Sequence, residues 1–578
     1  MFNTYYQDEL RYLRESGREF ALAHPESTRF LGEAGADPDV ERLLEGVAFL
    51  TGRIRQKLDD ELPEVAQALI EQLWPQYLCP LPALALLQVD HARSGDTDVH
   101  RLPAGSLVDS LPVDGTRCRF RTAAEVVVLP IRISEVVLRP GSHPVLEITV
   151  RCAAGTNCAQ LAESGVPALR LHCAGAHAQA SGLHACLTRH ARSIVAVATI
   201  DGVRREVVIH RGPARCPAMA EALLPGPGPH LPALARLAEY QAFPAKFLAA
   251  EIPGVAALGR LGTSDSFTLH LDLDGLPGGI GAVSAGSLLL GCTPAANCFP
   301  HHADPVPLDP LSGIYRLRAS GSPADHFEVH SVVSVEGLVR GRPTPRPYRL
   351  WTTARPDTPG DARSFAVRRR PSPLGWGAEI LLDIPAALGA QDEETLAVAI
   401  WATNRRLPSA LAPGDISQLV GGSGKLRLRS LDRPTPCAWP PLGRDLEWRL
   451  VRLLALNHRS LAEVGPLRDL LELHHPRIHG DPQVRSAHHR FLEGIERVRC
   501  EPATRLHHGL PVRGSEVTVA VREDRFDGDG DRHLFTQVLD EVLAQHVALN
   551  SWIRLRVEGT ITGAVLSQPP RNGRGHLI

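Results

Sequence analysis

Apolar residues in the first eighty positions recur at helical spacing, and the change of period that follows divides the chain. In "DPDVERLLEGVAFLTGRIRQKLDDELPE", Asp37 to Glu64, the residues Val40, Leu43, Leu44, Val47, Leu50, Ile54, Leu58 and Leu62 obey the i, i+3, i+4 rule. At 1.5 Å per residue the stripe is roughly 37 Å long. Asp37 suits the N-cap, Pro38 the first turn where a missing N–H costs nothing, and Asp39 and Glu41 the positive end of the dipole. Pro63 is expected to break this helix, and a second should run from Pro63 to Trp74. Ahead of it, Asn3 or Thr4 can cap a first helix whose larger side chains Tyr6, Leu10, Leu13 and Phe20 share a stripe with Gly17, ending at His24-Pro25.

From about residue 84 to 430 the period is two. Val126 to Leu138, Leu146 to Val150 and Phe267 to Leu273 read as half-buried strands, and "SIVAVATIDGVRREVVIH" as two strands joined near Asp201-Gly202. A helix near Ala233 to Tyr240 interrupts them. The connectors "LLPGPGPHLP" and "GRPTPRP" are candidate seams between subdomains. Helical spacing returns with Leu446, Leu450, Leu453, Leu454 and Leu456, then Leu467, Leu470 and Leu471, and again over Leu534 to Leu549; "SWIRLRVEG" closes as a strand. The pattern predicts an α+β multidomain chain: helical 1–83, β-rich 84–240 and 241–435, and mixed helix and strand over 436–578.

Charge narrows the partners. With 62 basic and 64 acidic residues among 578, the net charge of -2 gives no field to gather phosphate backbones, so nucleic acid is not expected. The eleven cysteines are scattered and never form a CxxC pair, which suits free thiols in a reducing cytosol. Charged residues fill the first turns where a signal peptide would be apolar, and no run approaches the length of a bilayer span, so neither export nor membrane insertion is expected.

Candidate chemistry thins on inspection. Asp59, Asp60, Glu61 and Glu64 could pair as acid and base, but at a helix terminus opposite the apolar stripe solvated charge is the ordinary outcome. "CTPAANCFPHH" gathers Cys292, Cys298, His301 and His302, a zinc-type donor set without the tight spacing of a structural site. "GGSGK", Gly421 to Lys425, has Leu419 and Leu426 at two positions a phosphate loop requires otherwise, and "GIGAVS" lacks the third glycine of the dinucleotide fingerprint. In "DGDGD", Asp527, Asp529 and Asp531 open like a calcium loop, but Arg532 and Val538 replace its glycine and glutamate. No catalytic, cofactor or metal residues are therefore assigned.

Read in order, several segments resemble the TssF (VasA, ImpG) family of type VI secretion baseplate components over nearly the whole chain. They are "YYQDELRYLRESGREFALAHP", the Asp37–Glu64 stretch, "LWPQYLCPLP", "CRFRTAAEVVVLPIRI", "LAEYQAFPAKF", "CTPAANCFPHHADPVPLD", "FEVHSVVSVEG", "WRLVRLLALNHRSLAEVGPLRDLLELHHP" and "LFTQVLDEVLAQHVALNSWIRL". Two departures are local: Trp552 stands where the family would have phenylalanine, and "SQPPRNGRG" lacks a terminal tryptophan. The resemblance implies a scaffold rather than an enzyme, similar to the wedge proteins of contractile phages. It implies two copies joining one TssG, with TssK and TssE attached around a VgrG hub, in the cytoplasm and docked at the inner-membrane complex. Metal-dependent enzyme and β-rich ligand-binding module are the alternatives.

On this reading Tyr6, Leu10, Leu13, Val40, Leu43, Leu44, Val47, Leu50, Ile54 and Leu58 form a partner interface, the N-terminal helices entering a shared bundle. Burying seven large aliphatics at about 1.5 to 3 kcal/mol each gives roughly 10 to 20 kcal/mol gross. Gly46 and Gly52, each costing about 1 kcal/mol against alanine in a helix, are easiest to understand where another backbone comes close. The same stripe could instead cover the chain's own core.

Overall fold

Asp37 caps the long helix as its sequence predicts: Oδ1 accepts the backbone N–H of Asp39 at 2.9 Å and that of Val40 at 3.4 Å. The computed structural model describes residues 2–24, 37–93, 95–200, 202–225, 232–309, 312–321, 323–351, 363–372, 377–384, 394–422, 424–440, 442, 450–451, 462–507 and 509–573. Its main helices are α1 (Phe2–Ala23), α2 (Pro38–Leu73), α3 (Cys158–Glu163), α4 (His177–Ala185), α5 (Pro232–Ala242), α6 (Val464–Leu473), α7 (Pro482–Glu493) and α8 (Asp529–Gln545). Two expectations fail here. Helix α1 begins at Phe2, ahead of both proposed caps, and α2 continues through Pro63 as one helix of 36 residues. Proline costs an interior helix about 3 kcal/mol, which the uninterrupted turns on either side of Pro63 can absorb. Leu446, Leu453, Leu454 and Leu456 lie outside the described residues, as do the side chains of Asp59, Asp60, Glu61 and Glu64.

The chain divides into two units, Met1–Gln72 with Leu442–Arg452 and Leu73–Pro441 with Leu453–Ile578. The first holds α1 and nearly all of α2. In the second, strands of period two pair as the pattern requires. Phe267, Leu269 and Leu271 of Ser266–Leu273 lie opposite Val150, Ile148 and Leu146 of Val145–Cys152, and all six are buried. Their sheet runs Val203–Arg211, Ala191–Ile200, Ser266–Leu273, Val145–Cys152, Ile131–Arg139. The strand read as Val126 to Leu138 is two, Val126–Val128 and Ile131–Arg139, split at Leu129-Pro130 because proline has no N–H for the ladder.

A boundary at 240/241 does not follow the sheets. The sheet just described takes Ser266–Leu273 from beyond it, and another is ordered Ile416–Leu419, Leu107–Val113, Thr116–Thr122, Cys292–Ala296, Leu84–His91, Leu426–Ser430. The Pro/Gly connector marks an excursion between strands of shared sheets, and pairing between distant antiparallel strands leaves no local trace. A larger sheet centres on Glu394–Thr403 and Glu328–Val339, which pair antiparallel. Near the C-terminus, Leu510–Val521 runs antiparallel to Ile495–His507 and parallel to Trp552–Gly559. The parallel step needs a crossover, which α8 supplies by burying Leu534, Phe535, Val538, Leu539, Val542 and Leu543.

Buried polar joints tie these layers together. Arg236 and Glu239 of α5 are both buried and bond at 2.5 Å; the fully buried Lys246 reaches the same carboxylate and donates to the Glu221 carbonyl at 2.6 Å. Burial holds the Lys246 pKa below the ordinary lysine value, even with Glu239 beside it. Asn297 donates to the Arg119 carbonyl and to Asn404 Oδ1, each at 2.8 Å, and accepts the Asn404 N–H at 2.7 Å. This asparagine sits where the chain passes from Cys292–Ala296 in one sheet to Phe299–His302 in another. Trp74 and His474 stack at 4.7 Å, joining "LWPQYLCPLP" to "LELHHP". Trp552 is buried and donates from Nε1 to the Val512 carbonyl at 2.9 Å, while Arg571 pairs with buried Asp540 and with Glu541. Both family departures thus fall on internal contacts.

Replacing Glu239 by alanine would strand two buried cations, so Glu239→Ala should lower unfolding stability by about 3–5 kcal/mol, read as a fall in the urea midpoint; Glu239→Gln should lose less. Burial also depresses the histidines: His172, His330 and His475 to about 3, His184, His474 and His488 to about 4. Unfolded imidazoles titrate near about 6.5, so between these values the unfolded chain binds more protons and acid favours it. This stability is complete above the unfolded pKa and drains as pH falls. Moving from about pH 7.5 to about pH 5.5 should remove about 1 kcal/mol per buried histidine, seen as a lower urea midpoint at the acidic pH.

Candidate partner interface

The first unit folds back on itself through small residues. A Cβ built on Gly52 would stand 3.2 Å from the backbone nitrogen of Tyr6, so α1 crosses α2 almost backbone to backbone. Arg14 bonds Glu41 at 2.7 Å and Arg55 bonds Glu9 at 2.7 Å, flanking the crossing. Glu41, Ala48, Gly52 and Arg55 share one face of α2 at helical spacing, and Ala48 is fully buried. Leu10 and Ala21 of α1 are buried as well.

That packing turns the large aliphatics of α2 outward. Leu43, Val47, Leu50 and Ile54, spaced four, three and four apart, are 69%, 44%, 62% and 58% exposed. Phe49 is also exposed, as are Tyr12, Phe20 and Leu22 of α1. Of the other interface candidates, Leu10 is covered by its own chain, Tyr6, Leu13, Val40 and Leu44 are half-buried, and the Leu58 side chain lies outside those described. The four open aliphatics would contribute roughly 6 to 12 kcal/mol gross if buried, less than the full stripe suggests. Sequence periodicity showed the stripe but could not show that α1 would take the alanine and glycine face. The Glu9–Arg55 and Arg14–Glu41 pairs have a trace in the sequence, opposite charges on two amphipathic helices.

The other candidate groups do not assemble. Cys292 and Cys298 are buried in an apolar cluster with Leu84, Leu86 and Phe243, and burial raises both thiols, Cys292 to about 12. His301 bonds the Ser320 carbonyl at 2.6 Å and stacks on Phe327, while His302 is exposed. Gly421 and Gly424 take positive φ in the turn before Leu426–Ser430. Asp529 opens α8 and accepts the Gly278 N–H at 2.7 Å; Asp527 and Asp531 lie beside His177. A cavity of about 340 Å³ is lined by Asp90, His91, Arg170, Glu221, Glu251 and Cys292 among others. Its two arginines are already paired, Arg170 with Glu221 at 2.5 Å and Arg101 with Glu125 at 3.3 Å. Among the described residues, no helix is long and apolar enough to cross a membrane.

The glycines separate two effects. Gly46 has open space at its Cβ position, so Gly46→Ala should stabilise α2 by about 1 kcal/mol. Gly52→Leu should instead part the helices, and limited proteolysis should then cut α1 faster in that variant alone.

The type VI secretion TssF family model matches residues 1–575. The chain is 30% identical over 600 residues to the type VI secretion system component TssF1 of Pseudomonas aeruginosa strain PAO1, covering 95% of each. It is similar to a chain of the cryo-electron-microscopy TssK-TssF-TssG baseplate subcomplex, with TM-score 0.75, 26% identity and coverage of 92% of this chain and 99% of that one. A chain of the type VI baseplate complex shares the fold, with TM-score 0.62, 23% identity and coverage of 98% of each. With a family model matched from the first helix to the last strands, the chain belongs to the TssF family of type VI secretion baseplate subunits.

Proposed function

We propose that this protein is a non-catalytic scaffold of the type VI baseplate wedge, holding TssG and TssK through surfaces it cannot cover itself. The observation that carries the reading is the open face of α2: Leu43, Val47, Leu50 and Ile54 exposed while Ala48 and Gly52 serve α1. An apolar stripe at i, i+4, i+7, i+11 is the form that enters a helical bundle. The similar chain in a TssK-TssF-TssG subcomplex supports those two partners. TssE, a VgrG hub and a second copy of this chain follow from the family resemblance, as does a cytoplasmic place docked at the inner-membrane complex. Two copies in one wedge would meet different neighbours through one surface, so some contacts would be heterologous.

A metal-dependent enzyme at Cys292, Cys298, His301 and His302 is disfavoured, because the two thiols are buried among apolar side chains and His301 is spent on a carbonyl. Leu43→Asp combined with Val47→Asp should abolish co-purification with TssG-like and TssK-like partners. The change is at exposed positions, so the variant's circular dichroism and melting should match the parent. Parental complex yield from the double variant would contradict the assignment of this face.

A further inference from the structure

One polar cluster outside the helical unit has the wrong arrangement for a simple hydrogen-bond network. His91 ends the strand Leu84–His91, which pairs with Leu426–Ser430, and His100 begins His100–Leu102, which pairs with Val126–Val128. Asp96 lies in the turn between them. Its Oδ1 accepts the Asp98 N–H at 3.0 Å, which fixes the carboxylate and leaves Oδ2 facing both imidazoles. Oδ2 is 3.0 Å from His100 Nε2 and 3.6 Å from His91 Nδ1, and one donor atom from each residue lies within 4.8 Å of the others.

The second observation concerns His91 itself. Both its ring nitrogens are buried and neither has a hydrogen-bond partner among the described residues. Buried polar atoms are ordinarily satisfied, so such a ring calls for a ligand. Donors bound at about 2.0–2.2 Å to a tetrahedral ion stand about 3.3–3.6 Å from one another, and the two His–Asp separations bracket that range. The other cluster, His177 with Asp527 and Asp531, lacks this feature: Asp531 already accepts from Tyr240 at 3.3 Å and from the Asp527 N–H at 3.2 Å, and bonds His177 at 3.0 Å.

We propose that His91, Asp96 and His100 form a binding site for one divalent transition-metal ion of the zinc class. Two imidazoles and a carboxylate select zinc, cobalt or nickel over magnesium or calcium, which prefer all-oxygen shells. A fourth position is left for water. The ion would clip the end of one sheet's penultimate strand to the start of the neighbouring two-stranded sheet, and the Asp96–Asp98 turn would orient the carboxylate ligand. Its role is to fix the loop, with no chemistry assigned to it.

The full-length chain, purified without a polyhistidine tag and stripped with chelator, should bind one equivalent of zinc ion by calorimetry. His91→Ala and His100→Ala should each weaken binding at least about 100-fold and Asp96→Asn about 10-fold or more, while His302→Ala should bind as the parent does. Cobalt substituted into the parent protein should show d–d absorption of a nitrogen and oxygen site without a thiolate charge-transfer band. That spectrum, taken on the parent protein, decides the matter even where a variant fails to fold. No zinc uptake by the parent, uptake surviving both histidine variants, or a thiolate band would overturn the site.

Discussion

A helix of 36 residues with apolar side chains on more than one face cannot be satisfied by a single neighbour, and the architecture of the first unit follows from how that conflict is divided. Helix α1 approaches so closely at Gly52 that a Cβ there would stand 3.2 Å from the Tyr6 nitrogen, and Ala48, one turn away on the same face, is fully buried. Close approach is incompatible with placing Leu43, Val47, Leu50 and Ile54 at the same contact, so they turn to the opposite side. Lone exposed leucines are common on any surface. Four aliphatics aligned at helical spacing on a helix already packed elsewhere are a continuous face, and on the proposed function their desolvation would supply free energy for assembly, less the several kcal/mol that association costs.

The body of the protein is organised differently. Its distinctive segments are consumed by internal joints: Glu239 between Arg236 and Lys246, Asn297 between two sheets, Trp74 on His474, and Arg571 on Asp540. All of these residues but Arg236 lie in a stretch that carried the family resemblance or its C-terminal departure. They supply specific geometry where separate elements meet, Asn297 between two sheets and the others at helices and helix ends, places where apolar packing alone tolerates several arrangements. Thus the β-rich unit is built to hold its own shape, while the helical unit keeps a surface in reserve.

How legible this was depended on the range of the interaction. The cap at Asp37, the alternation in Ser266–Leu273 and the buried face of α8 depend on residues a few positions apart, and the sequence pattern carries them. Sheet membership does not: Cys292–Ala296 lies between Thr116–Thr122 and Leu84–His91, partners more than a hundred residues away. The continuation of α2 through Pro63 was hidden because proline's local cost says nothing of the turns that offset it. At the candidate interface the stripe was readable, whereas its division into covered and open positions needed the crossing at Gly52. In the "CTPAANCFPHH" segment the sulfur and imidazole donors are the conspicuous chemistry, but the amide of Asn297 makes the cross-sheet contacts.

The proposed function requires that other chains shelter the outward face of α2. Single cysteines placed at Leu50 and Ile54, with Ala48→Cys as the covered control, report on it directly through thiol-labelling rates in the free chain and in the assembled complex with TssG and TssK. Labelling should be fast at 50 and 54 in the free chain, strongly suppressed at both in the complex, and slow at 48 throughout. Equal rates at 50 and 54 in the two states would contradict it.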